Sequence, residues 1–302
     1  MNWFFIALIG PVLYAIANHV DKYLISKYMK GGAVGSLIIF SCLFSAVALP
    51  VVLFMHPGVL ATSISDGVVL AINGMLVVFA MLCYFYALEK DEVSYVVPFY
   101  QTVPVFGFIL GFFILGETIT SLQGLAMCII IAGALILSFE ITGPLRFKKH
   151  VVLLMILASF LYAVNGVVFK LIALPNGFWI SLFWSLVGNV TIGLVFLACI
   201  RSYREQFFYT LRKNRLPVIS LNGLAELLFT VAEGVTAYAI LLAPVALVLL
   251  VNSFQPFFVF AIGVFLTLLF PHISEEGITR KHLFQKVLGI GLMVVGTYFI
   301  GF

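Results

Sequence analysis

Charged side chains are scarce. Twelve acidic and sixteen basic residues make up 9% of a 302-residue chain that is 63% hydrophobic, whereas soluble globular proteins carry about a quarter charged residues. That balance excludes a soluble domain and leaves a chain that crosses a bilayer repeatedly. Cysteine is also sparse. Cys42, Cys83, Cys128 and Cys199 each fall in a separate apolar run, without the paired spacing of a metal site or a disulfide framework. No HExxH, GxSxG or aspartate-rich metal motif occurs, so the sequence points away from an enzyme, and no metal or other cofactor is expected. The net charge of +4 is spread over several loops, which suits membrane orientation better than nucleic-acid binding. The opening Met1-Asn2-Trp3 lacks the basic lead-in of a signal peptide, and Asn18, His19, Asp21 and Lys22 follow. The first helix is therefore expected to remain in the mature protein.

What the chain does have is long apolar runs. Polar punctuation divides it into spans at about 3–25, 33–55, 67–88, 93–115, 119–139, 151–173, 178–199, 218–241, 244–270 and 286–302, each near the roughly 20 residues that a transmembrane helix needs. The longest polar stretch, Arg201 to Pro217, reads as a loop. Basic residues collect after the odd spans: Lys27 and Lys30, then Arg146, Lys148 and Lys149, then the Arg201 loop, then Arg280 and Lys281. The positive-inside rule makes those loops cytoplasmic and puts both termini on the far side. The locale expected is an integral, multi-pass membrane protein, in the inner membrane if the cell is bacterial.

The runs repeat. Leu13-Tyr14-Ala15-Ile16 with Lys22 matches Leu161-Tyr162-Ala163-Val164 with Lys170 at one offset, Ile72-Asn73-Gly74 parallels Leu221-Asn222-Gly223, and the stretch from Tyr86 to Pro104 parallels Tyr238 to Pro256. Each copy holds an odd number of spans, so the second enters the membrane upside down, as in many secondary transporters. The fold expected is all-α integral membrane, about ten transmembrane helices as two inverted five-helix repeats, 1–145 and 146–302.

One span stands out for polarity. In 218–241, Asn222, Glu226 and Glu233 fall within about 40° of one another on a helix, with Thr230 further round. An acid near the bilayer centre costs roughly 3 kcal/mol on insertion scales, and such residues face a bundle interior or a wet cavity. The two acids are therefore candidates to bind substrate or a proton; the alternative is a structural pair bonded to neighbouring helices. Span one carries Tyr14, Asn18 and Asp21 on one stripe. Asp21 is expected to partner a lysine rather than to bind a ligand, and His19 faces away. Lys22 and Lys170 lie near opposite membrane faces, either snorkelling to the interface or guarding one mouth each as gates or charge partners. Pro104 and Pro256 are expected to kink spans four and nine and to free a carbonyl. Beside them lie Tyr100 and Gln101 in one copy and Asn252 and Gln255 in the other, two symmetric polar patches that suit either a shared site or packing bonds. Glu117 reads as a cap or loop-fixing carboxylate, and Trp184 as packing more than cavity lining.

Pro104, Ile114-Leu115-Gly116-Glu117, Gln123 and Gly133 together resemble the pattern of the drug/metabolite transporter superfamily, in particular its EamA-type ten-helix members. The resemblance runs over essentially the whole chain. The second copy keeps Pro256 and the glycines from Gly289 to Gly296, but has Leu268-Leu269 where the Gly-Glu pair would stand and an insertion from Pro271 to Gln285. The resemblance implies a carrier of a small polar solute, exporting amino acids or other metabolites, and termini in the cytoplasm, the reverse of the charge bias. The function expected is therefore secondary transport of a small, amino-acid-like metabolite by alternating access, with protons as a candidate coupling ion and a monomer or homodimer in the bilayer. The alternative is a phosphate-bearing solute, such as a nucleotide sugar or lipid-linked sugar, held by Lys22 and Lys170; the absence of arginine from every span weighs against it.

Overall fold

Surrounded by lipid, an apolar run must satisfy every backbone N–H and C=O within itself, and a helix does so. The computed structural model describes residues 2–28, 34–88, 90, 96–138, 148–213, 215–269 and 280–300. The first three helices are α1 (Asn2–Tyr28), α2 (Val34–Met55) and α3 (Ile64–Leu88). Next comes α4 (Val103–Leu110), extended by a 3-10 turn before it (Val97–Thr102) and a π turn after it (Gly111–Leu115). Then follow α5 (Ser121–Ser138), α6 (Lys149–Asn176), α7 (Phe178–Cys199), α8 (Arg201–Lys213) and α9 (Arg215–Leu242). The last are α10 (Val245–Val251), a 3-10 turn (Asn252–Phe254), α11 (Gln255–Leu269) and α12 (Arg280–Ile300). Among the described residues nine segments are long and apolar enough to cross a membrane, and α12 adds a shorter apolar stretch, Phe284–Ile300. The boundary at 145/146, most of the insertion after Leu269, and Lys30 and Arg146 lie outside the described residues.

The polar stretch expected to be a loop from Arg201 is instead the helix α8. Tyr203 and Phe207 sit one turn apart and are buried against Val34, Ile38 and Phe196, with Leu211 packed beside them. The signal was present as an i, i+4, i+8 apolar stripe, but the charges between those residues masked it. Gln206 Oε1 accepts the Gly35 N–H at 3.1 Å, and the Tyr86 and Tyr203 hydroxyls are hydrogen-bonded. These contacts tie α8 to the starts and ends of α2 and α3.

Both prolines break their helices in the same way. A proline cannot donate to the carbonyl four residues back, which is Tyr100 for Pro104 and Asn252 for Pro256. In each case the residue before the proline takes that carbonyl in a 3-10 bond: Val103 N–H to Tyr100 O, and Gln255 N–H to Asn252 O. The freed acceptor is thus already used once, and the irregular turn re-aims Tyr100, Gln101 and Asn252.

The packing is closest where glycines meet backbone. A Cβ on Gly74 of α3 would collide with the Ser185 carbonyl of α7, and one on Gly188 of α7 with the Ala71 carbonyl of α3. At the corresponding place on α9, Gly223 meets only Phe44, 4.0 Å from where its Cβ would be. So α3 and α7 touch through their backbones, while α9 meets α2 at Gly223 only through the Phe44 ring. Gly188→Val is expected to lower stability by at least about 1–3 kcal/mol, because the obstructing atoms are main chain and cannot rotate aside. Thermal unfolding of the purified protein in detergent checks this, and Gly223→Val, which meets only a side-chain ring at ordinary contact distance, should cost less.

Candidate functional site

α1 runs along α9 in antiparallel register. Tyr14 and Asp21 are seven residues apart on one helix, and Glu226 and Glu233 seven apart on the other. Each α9 acid therefore faces one polar residue of α1: Glu233 lies within electrostatic reach of Tyr14, and Glu226 of Asp21. Between them the Tyr14 and Phe229 rings pack with centroids 5.5 Å apart. The Ser41 hydroxyl of α2 donates to Glu226 Oε1 across the opening between α2 and α9. Glu233 is bonded to no described side chain. Both acids are partly exposed, although their described neighbours come from other helices of the bundle.

A row of tyrosines faces this acidic wall. Tyr84 of α3, Tyr100 of the broken fourth span and Tyr162 of α6 pack in sequence, with centroids 5.2 and 5.8 Å apart. The ends match across the gap: Asp21 lies within reach of Tyr84 and Glu233 within reach of Tyr162. Five helical segments, three from residues before 139 and two from residues after 148, thus contribute to one space. Tyr84, Tyr162 and Ser41 were not singled out as site residues by the sequence. The Tyr14/Tyr162 repeat register was a signal for Tyr162; nothing in the sequence marks Ser41.

Other expected residues lie around this core. Asn222 is 1% exposed, and neither its amide nitrogen nor its oxygen has a partner. Asn73, at the matching position of the first copy, is only partly satisfied: its amide donates to the Asn165 backbone carbonyl at 3.2 Å, the Asn165 amide donates to the Asn73 backbone carbonyl at 3.1 Å, and Asn73 Oδ1 is buried without a partner. Thr236 Oγ1, buried and within hydrogen-bonding reach of Tyr14, and Asn252 Oδ1, buried and unpartnered, lie nearby. They converge on Gly10 of α1, where a Cβ would sit 2.7 Å from the first and 3.5 Å from the second. Gln101 is buried with its oxygen unpartnered. Among the described residues no bond joins Gln101, Asn18 or Gln255 to either acid. His19 turns to α11 and donates from Nε2 to Val259 O at 3.0 Å. Trp184 donates to Val59 O at 3.0 Å, a packing role away from the acids.

The lysines divide between the two expectations. Lys22 is exposed and makes no ion pair among the described residues. Asp21 consequently has no lysine partner, contrary to expectation: its sequence neighbour projects about 100° away round the helix, and its own neighbours are Tyr84 and Glu226. Lys170 does not snorkel. It is buried, and its Nζ lies 2.5 Å from Glu117 Oε1 while donating to Ala243 O at 2.7 Å. Glu117 Oε2 in turn accepts the Val245 N–H at 2.7 Å. Local geometry explains the Gly-Glu pair. The π turn ends at Gly116, whose φ of 67° suits glycine. That reversal points Glu117 back into the bundle, over Gly111, where a Cβ would come within 3.0 Å of Oε2. Glu117 is therefore a cap, as expected, but of the distant α10 rather than of its own neighbour. The start of α5 is capped separately, by Thr120 and Gln123 in a reciprocal box.

Among the described residues no three His, Cys, Asp or Glu side chains stand close enough together to hold a metal ion. Residues 1–139 match the EamA-like transporter family. No curated protein matches the chain. A solved crystal structure, described only as that of a protein, superposes with a TM-score of 0.68 over 99% of this chain and 96% of its own, at 13% identity. At that identity the likeness establishes the fold alone. The chain is thus an all-α, multi-pass membrane protein with an EamA-like transporter fold over part of its length, and the family it matches is one of carriers, not enzymes.

Proposed function

We propose that this protein is a secondary carrier that moves a small, amine-bearing polar metabolite by alternating access, in the export direction, through a cavity shared by two inverted five-helix halves. The observation that carries this reading is the facing of Glu226, Glu233 and Asp21 by tyrosines drawn from both halves. Two features support the two-copy arrangement: the identical 3-10 breaks before Pro104 and Pro256, and contacts that exchange between halves, α1 with α9 and α3 with α6. Inverted halves rocking about such a cavity open it to each side in turn.

The latch from Glu117 to Lys170, Ala243 and Val245 closes one end of the bundle. The other copy has Leu268-Leu269 in place of an acid, and among the described residues no equivalent pair stands at the opposite end. A phosphate-bearing solute is disfavoured by the same geometry: Lys170 is neutralised by Glu117 and Lys22 lies outside. Counterflow of radiolabelled amines and amino acids in proteoliposomes tests the reading. A carrier accelerates exchange when unlabelled solute is loaded inside; a channel or a structural membrane protein shows no such acceleration, and that result would overturn the proposal.

A further inference from the structure

The two facing walls narrow the cargo beyond an amine-bearing metabolite. We propose that the cavity takes an elongated aliphatic diamine or polyamine, with one ammonium group between Asp21 and Glu226, the other at Glu233, and the methylene chain along Tyr84, Tyr100 and Tyr162. The inference rests on the carrier reading above and adds a shape and a charge to it.

Charge comes first. Three carboxyl groups border the space, the buried Lys170 is held by Glu117, and Lys22 is exposed. The compensating positive charge therefore comes from the cargo or from protons, not from a lysine of the wall. A zwitterionic amino acid would bring a further carboxylate, for which the described wall offers no cationic partner.

Length comes second. Glu226 and Glu233 are about 10 Å apart along the helix axis, and the tyrosine row, with its two steps of 5.2 and 5.8 Å, runs for a similar distance. With each ammonium set beside its carboxylate, across rather than along the helix axis, the spacing suits nitrogens separated by roughly five to eight carbons. Ammonium groups and the methylenes next to them are well matched to tyrosine faces.

Hydrogen bonding comes third, and it is independent of the acids. An ammonium has three donors and no acceptor, so a carboxylate alone leaves donors over. At the Glu226 end, one turn along the same helix, stands Asn222, 1% exposed and without a partner for its oxygen. At the Glu233 end stands Asn252 Oδ1, buried and unpartnered beside Gly10. Each end of the cavity thus pairs an acid with a buried acceptor that the protein leaves unused.

The test is calorimetric titration of the full-length protein in nanodiscs with α,ω-diaminoalkanes of four to ten carbons, the monoamines of the same lengths, and free amino acids. The affinity for diamines is expected to peak near five to eight carbons and to exceed that of the matching monoamine by about 10- to 100-fold. Glu226→Gln and Glu233→Gln should each remove that excess. Asn222→Leu should weaken diamine binding several-fold with no loss of melting temperature, since a buried unsatisfied amide is removed along with it. Chain-length selectivity is read on the wild-type protein, so a variant that fails to fold does not rescue the proposal. If amino acids bind and exchange while diamines bind no better than monoamines, the carrier reading stands and this proposal falls. If neither class binds or exchanges, both fall.

Discussion

Lys170→Ala is expected to cost about 3–5 kcal/mol, the largest single stability loss foreseen here, because it strands the Glu117 carboxylate inside the bundle without its cation. Both side chains are largely buried, at 10% and 15% relative exposure, so water cannot replace the missing charge. The damage also spreads along the chain of bonds. Ala243 O loses its donor, while Glu117, still capping Val245 N–H, loses the cation that holds it. Removing both charges should cost far less, since a buried ion pair replaced by groups of similar volume is often nearly neutral. Thermal and denaturant unfolding of Lys170→Ala, Glu117→Gln and Lys170→Met with Glu117→Gln gives the cycle. A single variant within about 0.5 kcal/mol of wild type would show that the pair does not hold this end shut. The same latch predicts a change of access. Maleimide labelling of Ala243→Cys, in a background lacking the four native cysteines, should accelerate when Lys170 is replaced, because that end then opens more often.

The second large effect is on transport. Glu226→Gln and Glu233→Gln are each expected to lower solute affinity by about 10- to 100-fold, the worth of a charge-assisted hydrogen bond, and together to suppress exchange altogether. Glutamine preserves volume, and at position 226 it retains an oxygen for the Ser41 hydroxyl, so folding should survive. Ser41→Ala, by contrast, removes only a neutral donor and should change affinity modestly. Exchange rates and binding isotherms from the same purified preparations separate the two effects. Unaltered affinity in both glutamine variants, with normal melting behaviour, would mean that the acids are structural.

Several of these residues were legible before any coordinates. The Asn222–Glu226–Glu233 stripe follows from spacing alone, as does the Tyr14–Asp21 stripe, because residues three, four and seven apart share a helix face in any bundle. Helix α8 was missed for the converse reason: its buried Tyr203 and Phe207 are too few, among too many charges, to register as an apolar run. The lysines show another limit. Lys22 and Lys170 occupy equivalent positions in the repeat, yet one is exposed and the other buried in an ion pair, because the partner that decides it, Glu117, stands in only one copy and is far away in sequence.

The sequence by itself determined that the chain lives in a bilayer, that its segments are helices, and which face of each is polar, since burial in lipid and the helical repeat act locally. Only the tertiary structure decided which polar faces meet. The antiparallel register of α1 on α9, the row of tyrosines and the latch at Glu117 all depend on helix positions set by packing, by glycines that admit a neighbouring backbone and by prolines that bend one. These are contacts between residues up to more than two hundred positions apart, and no local rule carries that information.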